Sequence, residues 1–176
     1  MLAVETKGAD CLSKSLEMRE LVTLSGISSE ASSLGAVKVA ERAFELAQVH
    51  AAAGRVRSVV LLDAEAAMGC WRFADEEKSL VELSCGVNLA LCYGGRLDNA
   101  LGRKVKPDDK VVIIVCGGSN VTTAMVEGWR QEYGYFNDRV INEVPSAKTG
   151  LGLNTPTCGA AMDSTGDMAG FMPIRA

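Results

Sequence analysis

Cys116-Gly117-Gly118-Ser119-Asn120 is the run of this chain with the most chemistry to offer. A thiol there would end a strand and face a ligand crevice. The two glycines let backbone approach a bound group closely. Ser119 or Asn120 would cap a following helix, whose amino end attracts anions. The six cysteines, at 11, 70, 85, 92, 116 and 158, show no C-x-x-C spacing, and His50 is the single histidine. That excludes a Cys/His zinc pattern. Reduced, mostly buried thiols are the expectation, with Cys85 and Cys92 two helical turns apart on one packed face. His50 falls in the last turn of a helix, where the dipole favours it and no partners for general base catalysis stand nearby.

The elements that must position Cys116 come next. Val111-Val112-Ile113-Ile114-Val115 is β-branched throughout and suits a strand buried on both faces, running into a helix over Val121–Tyr133. Leu2–Thr6, Val56–Leu62 and Leu80–Leu83 read as further strands. Helices are expected from Cys11 to about Arg19, capped by Asp10, and over Val37–Ala53, with Gly54 as stop. A third covers Ala64–Glu77, capped by Asp63, and a fourth runs from Ser84 to about Leu101. Leu21–Leu24 is briefly extended, and the serine-rich stretch Gly26–Gly35 is a loop or a capped helix start. Alternating strands and helices predict an α/β fold, three-layer with a mostly parallel sheet. Ligands of such sheets collect at the carboxyl ends of the strands.

Apolar residues make up 48% of the chain, enough for a core, and the net charge of -4 argues against nucleic acid or an acidic membrane. With no apolar span and no leader pattern, a soluble, cytoplasmic protein is the expectation. The chain opens directly on a strand, which hints at structure upstream. Residues 136–176 hold Pro145, Pro156 and Pro173 and five glycines without sustained period. They read as an irregular tail, disordered or poorly packed, or an aberrant translated extension, behind a domain over 1–135.

Five motifs in order carry a resemblance. They are Glu5-Thr6-x-Gly8-Ala9, Leu21-Val22-Thr23-Leu24-x-x-Ile27-x-Ser29, Ser33-Leu34-Gly35, Glu76-x-Lys78-x-Leu80-Val81-Glu82-x-x-Cys85-Gly86, and Val115-Cys116-Gly117-Gly118-Ser119-Asn120. Together they resemble the second half of a eukaryotic L-serine dehydratase (L-serine/L-threonine ammonia-lyase) over residues 1–134. The resemblance implies a partial fold-type-II pyridoxal phosphate enzyme domain. It also implies β-elimination of L-serine or L-threonine, giving pyruvate or 2-oxobutanoate and ammonia, with a small amino acid as substrate. A homodimer is an assembly open to the full-length family.

By that resemblance Cys116 faces the pyridine nitrogen and Ser33 lies close to the cofactor ring. Glu82 matches a cleft position, although Leu83-Ser84 stands where the family more often has Pro-Ala. Glu5, Ala9, Cys11, Leu34 and Ala36 match positions ringing a monovalent cation such as potassium, which favours oxygen ligands. Cys11 departs from the family's serine there. The family's Schiff-base lysine, in a Ser-x-Lys segment, and its phosphate-cradling glycine run are not matched. The one Ser-x-Lys is Ser146-Ala147-Lys148, after the cleft strand instead of before it, and it reads as chance. A truncated enzyme without its catalytic lysine is therefore expected. The rival expectation is a non-catalytic α/β fragment, or an anion-binding domain using Gly117-Gly118-Ser119 and a helix N-terminus.

Overall fold

The computed structural model describes residues 1–143. The expected tail from 144 on, with Lys148 and Cys158, lies outside the described residues. Among the described residues the chain is mixed α/β with a parallel sheet of two strands, β1 (Leu2–Thr6) and β2 (Arg57–Leu61). Their register pairs Leu2 with Arg57, Val4 with Val59 and Thr6 with Leu61. The helices are α1 (Cys11–Met18), α2 (Glu41–Ala52), α3 (Asp63–Glu77), α4 (Leu83–Ala90), α5 (Arg96–Leu101) and α6 (Thr123–Glu143), with a 3₁₀ turn at Ser32–Leu34.

The core is built on α3 and α4. Ala66, Ala67, Met68, Cys70, Val87, Leu89 and Ala90 are all buried there. Small residues let the two helices touch. A Cβ on Gly69 would stand 2.1 Å from the Gly86 carbonyl oxygen, and one on Gly86 would stand 2.3 Å from Cys70 Sγ. No side chain fits at either position without moving backbone. Met68 is the largest fully buried side chain of this core, and burying a side chain of that size stabilises by roughly 1.5–3 kcal/mol. From α6, Val126 joins this core, with Trp129 and Tyr133 packed partly against it.

Three expected elements differ. Val111–Cys116 forms neither helix nor strand among the described residues, and Val112 and Ile114 are 88% and 70% exposed. β-branched residues favour extended backbone, but a ladder needs a neighbouring edge within hydrogen-bonding distance. Leu80–Leu83 is likewise not a strand. Val81 is buried, while the Glu82 backbone N–H donates to the Gly117 carbonyl at 3.3 Å. The helix expected over 84–101 is broken by Gly94 and Gly95, whose φ of +61° and +70° lie in the left-handed region. Cys92 therefore sits exposed in the break, away from buried Cys85.

Smaller shifts follow from local bonds. Val37 and Lys38 stay outside the helix because Leu24 N–H donates to the Val37 carbonyl and Thr23 bridges Lys38, so α2 begins only at Glu41. Helix α6 starts at Thr123, capped by the Thr122 hydroxyl, which accepts from Met125 N–H at 3.2 Å, and not by Ser119 or Asn120. It continues to Glu143, so the first eight residues of the expected irregular stretch are helical. His50 lies half-buried in the last turn of α2, with Nδ1 buried and lacking a hydrogen-bond partner among the described residues.

Candidate functional site

At the carboxyl ends of β1 and β2 a hydroxyl–carboxylate chain ties three segments together. Fully buried Thr6 ends β1, with Oγ1 2.7 Å from Ser29 Oγ. Ser29 donates its hydroxyl proton to Asp63 Oδ1 at 2.6 Å and accepts from Ala31 N–H at 3.0 Å. Its single proton being committed, the Thr6 hydroxyl must donate to Ser29. Asp63 Oδ2 accepts from Glu30 N–H at 2.9 Å. The expected role of Asp63 as a helix cap is thus replaced. It is the first residue of α3, Leu62 precedes it as cap, and Leu62 N–H donates to Glu65 at 2.9 Å. The chain holds residues 29–31 against the sheet and so sets where the Ser32–Leu34 turn begins. Ser33, on that turn, is exposed, and the turn packs against α4.

Glu5, also at the end of β1, is 9% exposed. Its two carboxylate oxygens accept from Leu12 and Ser13 N–H at 3.0 and 2.8 Å, which caps α1 from a distance. Asp10, the expected cap, makes no such bond; it pairs with Lys14 and accepts from Gly8 N–H. Burial raises the Glu5 carboxyl above its ordinary range, and the two amides pull it back only in part. Ala9 and Cys11 lie buried in the adjoining turn and helix start; Leu34 is half-buried and Ala36 exposed. The Cys11 carbonyl already accepts from Ser15 Oγ at 2.6 Å. Among the described residues no three His, Cys, Asp or Glu side chains are grouped to hold a metal. Besides the Glu5 carboxylate, backbone carbonyls are the oxygens a cation would find there.

Cys116 ends the 111–116 segment. Its backbone N–H donates to Cys85 Sγ at 3.2 Å while its own side of the chain stays exposed. Gly117 then turns with a φ of +82°, and a Cβ on Gly118 would stand 2.8 Å from both N and Cβ of Glu82. Two glycines are required because the Cys116 turn lies directly on the start of α4. Cys116, Glu82 and the Ser33 turn therefore share one support, helix α4. Buried Cys70 is an inert thiol: burial, with Cys85 nearby, pushes it up to about 12. The sequence did not single out Thr6 or Asp63 as partners of Ser29. The only hint was a cluster of small polar residues beside strand ends.

The chain belongs to the pyridoxal-phosphate dependent enzyme family, whose model matches residues 1–117. It is 42% identical over 123 residues to an L-serine dehydratase of Saccharomyces cerevisiae, a match covering 69% of this chain and 35% of that protein. It is 38% identical over 136 residues to the serine dehydratase-like protein of Homo sapiens, covering 76% and 40%. The crystal structure of a fungal L-serine ammonia-lyase from Rhizomucor miehei superimposes with a TM-score of 0.69 at 33% identity, covering 75% of this chain and 40% of that one. The fold is that of fold-type-II pyridoxal phosphate enzymes. The chain spans 35% and 40% of the lengths of these two relatives.

The residues present fit the cofactor on one side only. Cys116 and the Gly117-Gly118 turn offer an exposed thiol and close-lying backbone that would suit one face of such a group. Among the described residues no Ser-x-Lys supplies a covalent anchor, and no run of more than two glycines supplies a phosphate cradle. No helix among them is long and apolar enough to cross a membrane.

Proposed function

We propose that this chain forms the ring-facing wall of a pyridoxal phosphate cleft of the L-serine/L-threonine ammonia-lyase type. On this reading it carries no dehydratase activity by itself, because the anchoring lysine is lacking. The observation that supports the reading most is the placement of Cys116. It is an exposed thiol on a glycine turn held by the buried thiol of Cys85. When bound, the cofactor withdraws electron density from an amino acid's α-carbon, which prepares loss of a β-hydroxyl. A thiol facing the ring nitrogen leaves that nitrogen largely unprotonated, whereas a carboxylate would hold a proton on it. Ser33 lies beside the ring on this reading, where its hydroxyl bears on substrate range. Glu5, with Ala9, Cys11, Leu34 and Ala36, braces the cleft around a monovalent cation such as potassium. Each Glu5 oxygen keeps a lone pair beyond its amide bond for that ion. A small amino acid is the substrate of the completed cleft, the cytoplasm its compartment, and a homodimer its assembly.

Two measurements test this. Purified protein is mixed with pyridoxal phosphate, reduced with borohydride and analysed by mass spectrometry; no stoichiometric adduct at a defined residue is expected, and no pyruvate from serine. An adduct together with pyruvate release would defeat the reading. Separately, the portion of the yeast L-serine dehydratase preceding the match is fused ahead of Leu2, and Cys116 is compared with Cys116→Ala. Lower turnover with little loss of melting temperature supports the ring-facing role, and equal turnover removes it.

A further inference from the structure

Two cysteines meet where the Cys116 turn rests on α4. Cys85, in the first turn of that helix, is 1% exposed. The Cys116 backbone N–H stands 3.2 Å from its sulfur. An N–Cα bond is about 1.46 Å, so the Cys116 Cα lies within about 4.7 Å of that sulfur. The Cα–Cβ–S–S path of a disulfide spans such a distance, and rotation about the Cα–Cβ bond brings the second sulfur to the first. The two sides differ in freedom. Cys85 is fixed by the close helix contact beside it, where a Cβ on Gly86 would stand 2.3 Å from Cys70 Sγ. Cys116 is followed by Gly117, whose φ is +82° and beside which a Cβ would meet open space. The small adjustment a bridge requires therefore falls on the glycine side. Access differs as well. Cys116 is exposed and Cys85 buried, so an oxidant reaches Cys116 first while the buried sulfur is placed to attack it. Cys70 does not compete, since burial pushes its thiol up to about 12.

We propose that Cys116 is a site of oxidation by hydrogen peroxide and that Cys85 resolves it into an intramolecular disulfide. The Cys116 thiolate attacks one peroxide oxygen. An S–O bond forms, the O–O bond breaks, and the departing hydroxide takes a proton to become water. The Cys85 thiolate then attacks the Cys116 sulfur. The S–S bond forms, the S–O bond breaks, and the second oxygen leaves as water. Two thiols thus give up two electrons and two protons, and one peroxide is reduced to two waters. The bridge stands on the placement of the two sulfurs and is independent of the cofactor reading. On that reading it has a consequence: a bridged Cys116 no longer offers a thiol to the ring, so oxidation is an off-state of the cleft that a dithiol reverses.

The test uses the full, reduced chain without cofactor, treated with a small molar excess of hydrogen peroxide and quenched by alkylation of the remaining thiols. Intact mass before alkylation is expected to fall by about 2 Da in most of the monomer, two hydrogens for one bridge, and to return with dithiothreitol. Peptide mapping is expected to join Cys85 to Cys116. The bridged monomer is expected to melt no lower than the reduced one, because the bridge joins residues 31 positions apart in native geometry and restricts the unfolded chain. Cys116→Ser, at an exposed position, is expected to melt like the parent and to leave Cys85 reduced. Cys85→Ala is expected to stop at the sulfenic acid of Cys116, trapped as a dimedone adduct. A bridge mapped to Cys70, Cys92 or Cys158, disulfide-linked dimers as the main product, or Cys116 passing to sulfinic acid with Cys85 still free would each overturn the proposal. So would the same mass loss in folded Cys116→Ser, or a bridged monomer that melts lower than the reduced one.

Discussion

The α3–α4 contact and the Val111–Cys116 segment are opposites. The helix pair is rich in alanine, glycine and cysteine, weakly hydrophobic residues, yet Ala66, Ala67, Cys70, Val87 and Ala90 are essentially inaccessible. The segment is the most apolar run in the chain, yet Val112 is 88% exposed. Burial followed fit, not hydrophobicity. Gly69 and Gly86 let two helices close to backbone contact, so even small side chains are enclosed. The segment has every residue a buried strand needs but no second surface within the described residues to close over it.

The largest expected effect strikes the helix contact. Gly86→Ala places a methyl 2.4 Å from the Ala66 carbonyl oxygen and 2.3 Å from Cys70 Sγ. It should cost about 3 kcal/mol, the upper part of the range for overpacking, and be visible in chemical denaturation. A variant as stable as the parent would mean the helices can part at little cost.

Thiol labelling draws the same contrast. Cys116 and Cys92 should react with a maleimide in native protein, while Cys70 and Cys85 should react only after unfolding. At pH 8 a thiol pushed up to about 12 is thiolate in only about one molecule in 10,000. Mass spectrometry of peptides after timed quenching reads the order, and early labelling of Cys70 would show that the helix contact opens readily.

Glu5 tests an intermediate case, a charge placed between core and surface. Its folded carboxyl holds its proton more tightly than the ordinary value of 4.5 because of burial. The stability linked to that proton is fully present below about 4.5 and is lost as pH rises through the raised folded value. Glu5→Gln should flatten that decline in urea midpoints measured across the acid range. Glu5→Ala should cost about 1–2 kcal/mol at neutral pH by uncapping α1. A slope unchanged in the glutamine variant would show that another group titrates.

The smallest effect is expected at the segment. Val112→Thr and Ile114→Thr should each change stability by no more than about 0.5 kcal/mol, as exposed positions do. A loss of several times that would show that the segment is covered in solution.

Strong local and periodic signals in the sequence were sufficient for much of the chain. β1, α1, β2 and α3 lie within a residue or two of where capping, β-branching and helical spacing put them, because each of those signals acts over a few residues. Ordered motifs such as Glu5-Thr6, Glu82-x-x-Cys85-Gly86 and Cys116-Gly117-Gly118 were enough to identify the family. Tertiary structure alone decided which strand formers became strands. Val111–Val115 and Leu80–Leu83 have the composition, but a ladder forms only where another edge is presented, and composition carries no record of that. It also decided partners. Glu5 caps α1 in place of Asp10, Asp63 binds Ser29 instead of its own helix, and Cys85 supports the Cys116 turn. Such bonds join residues 8 to 34 positions apart, and only chain folding brings them within 3.2 Å.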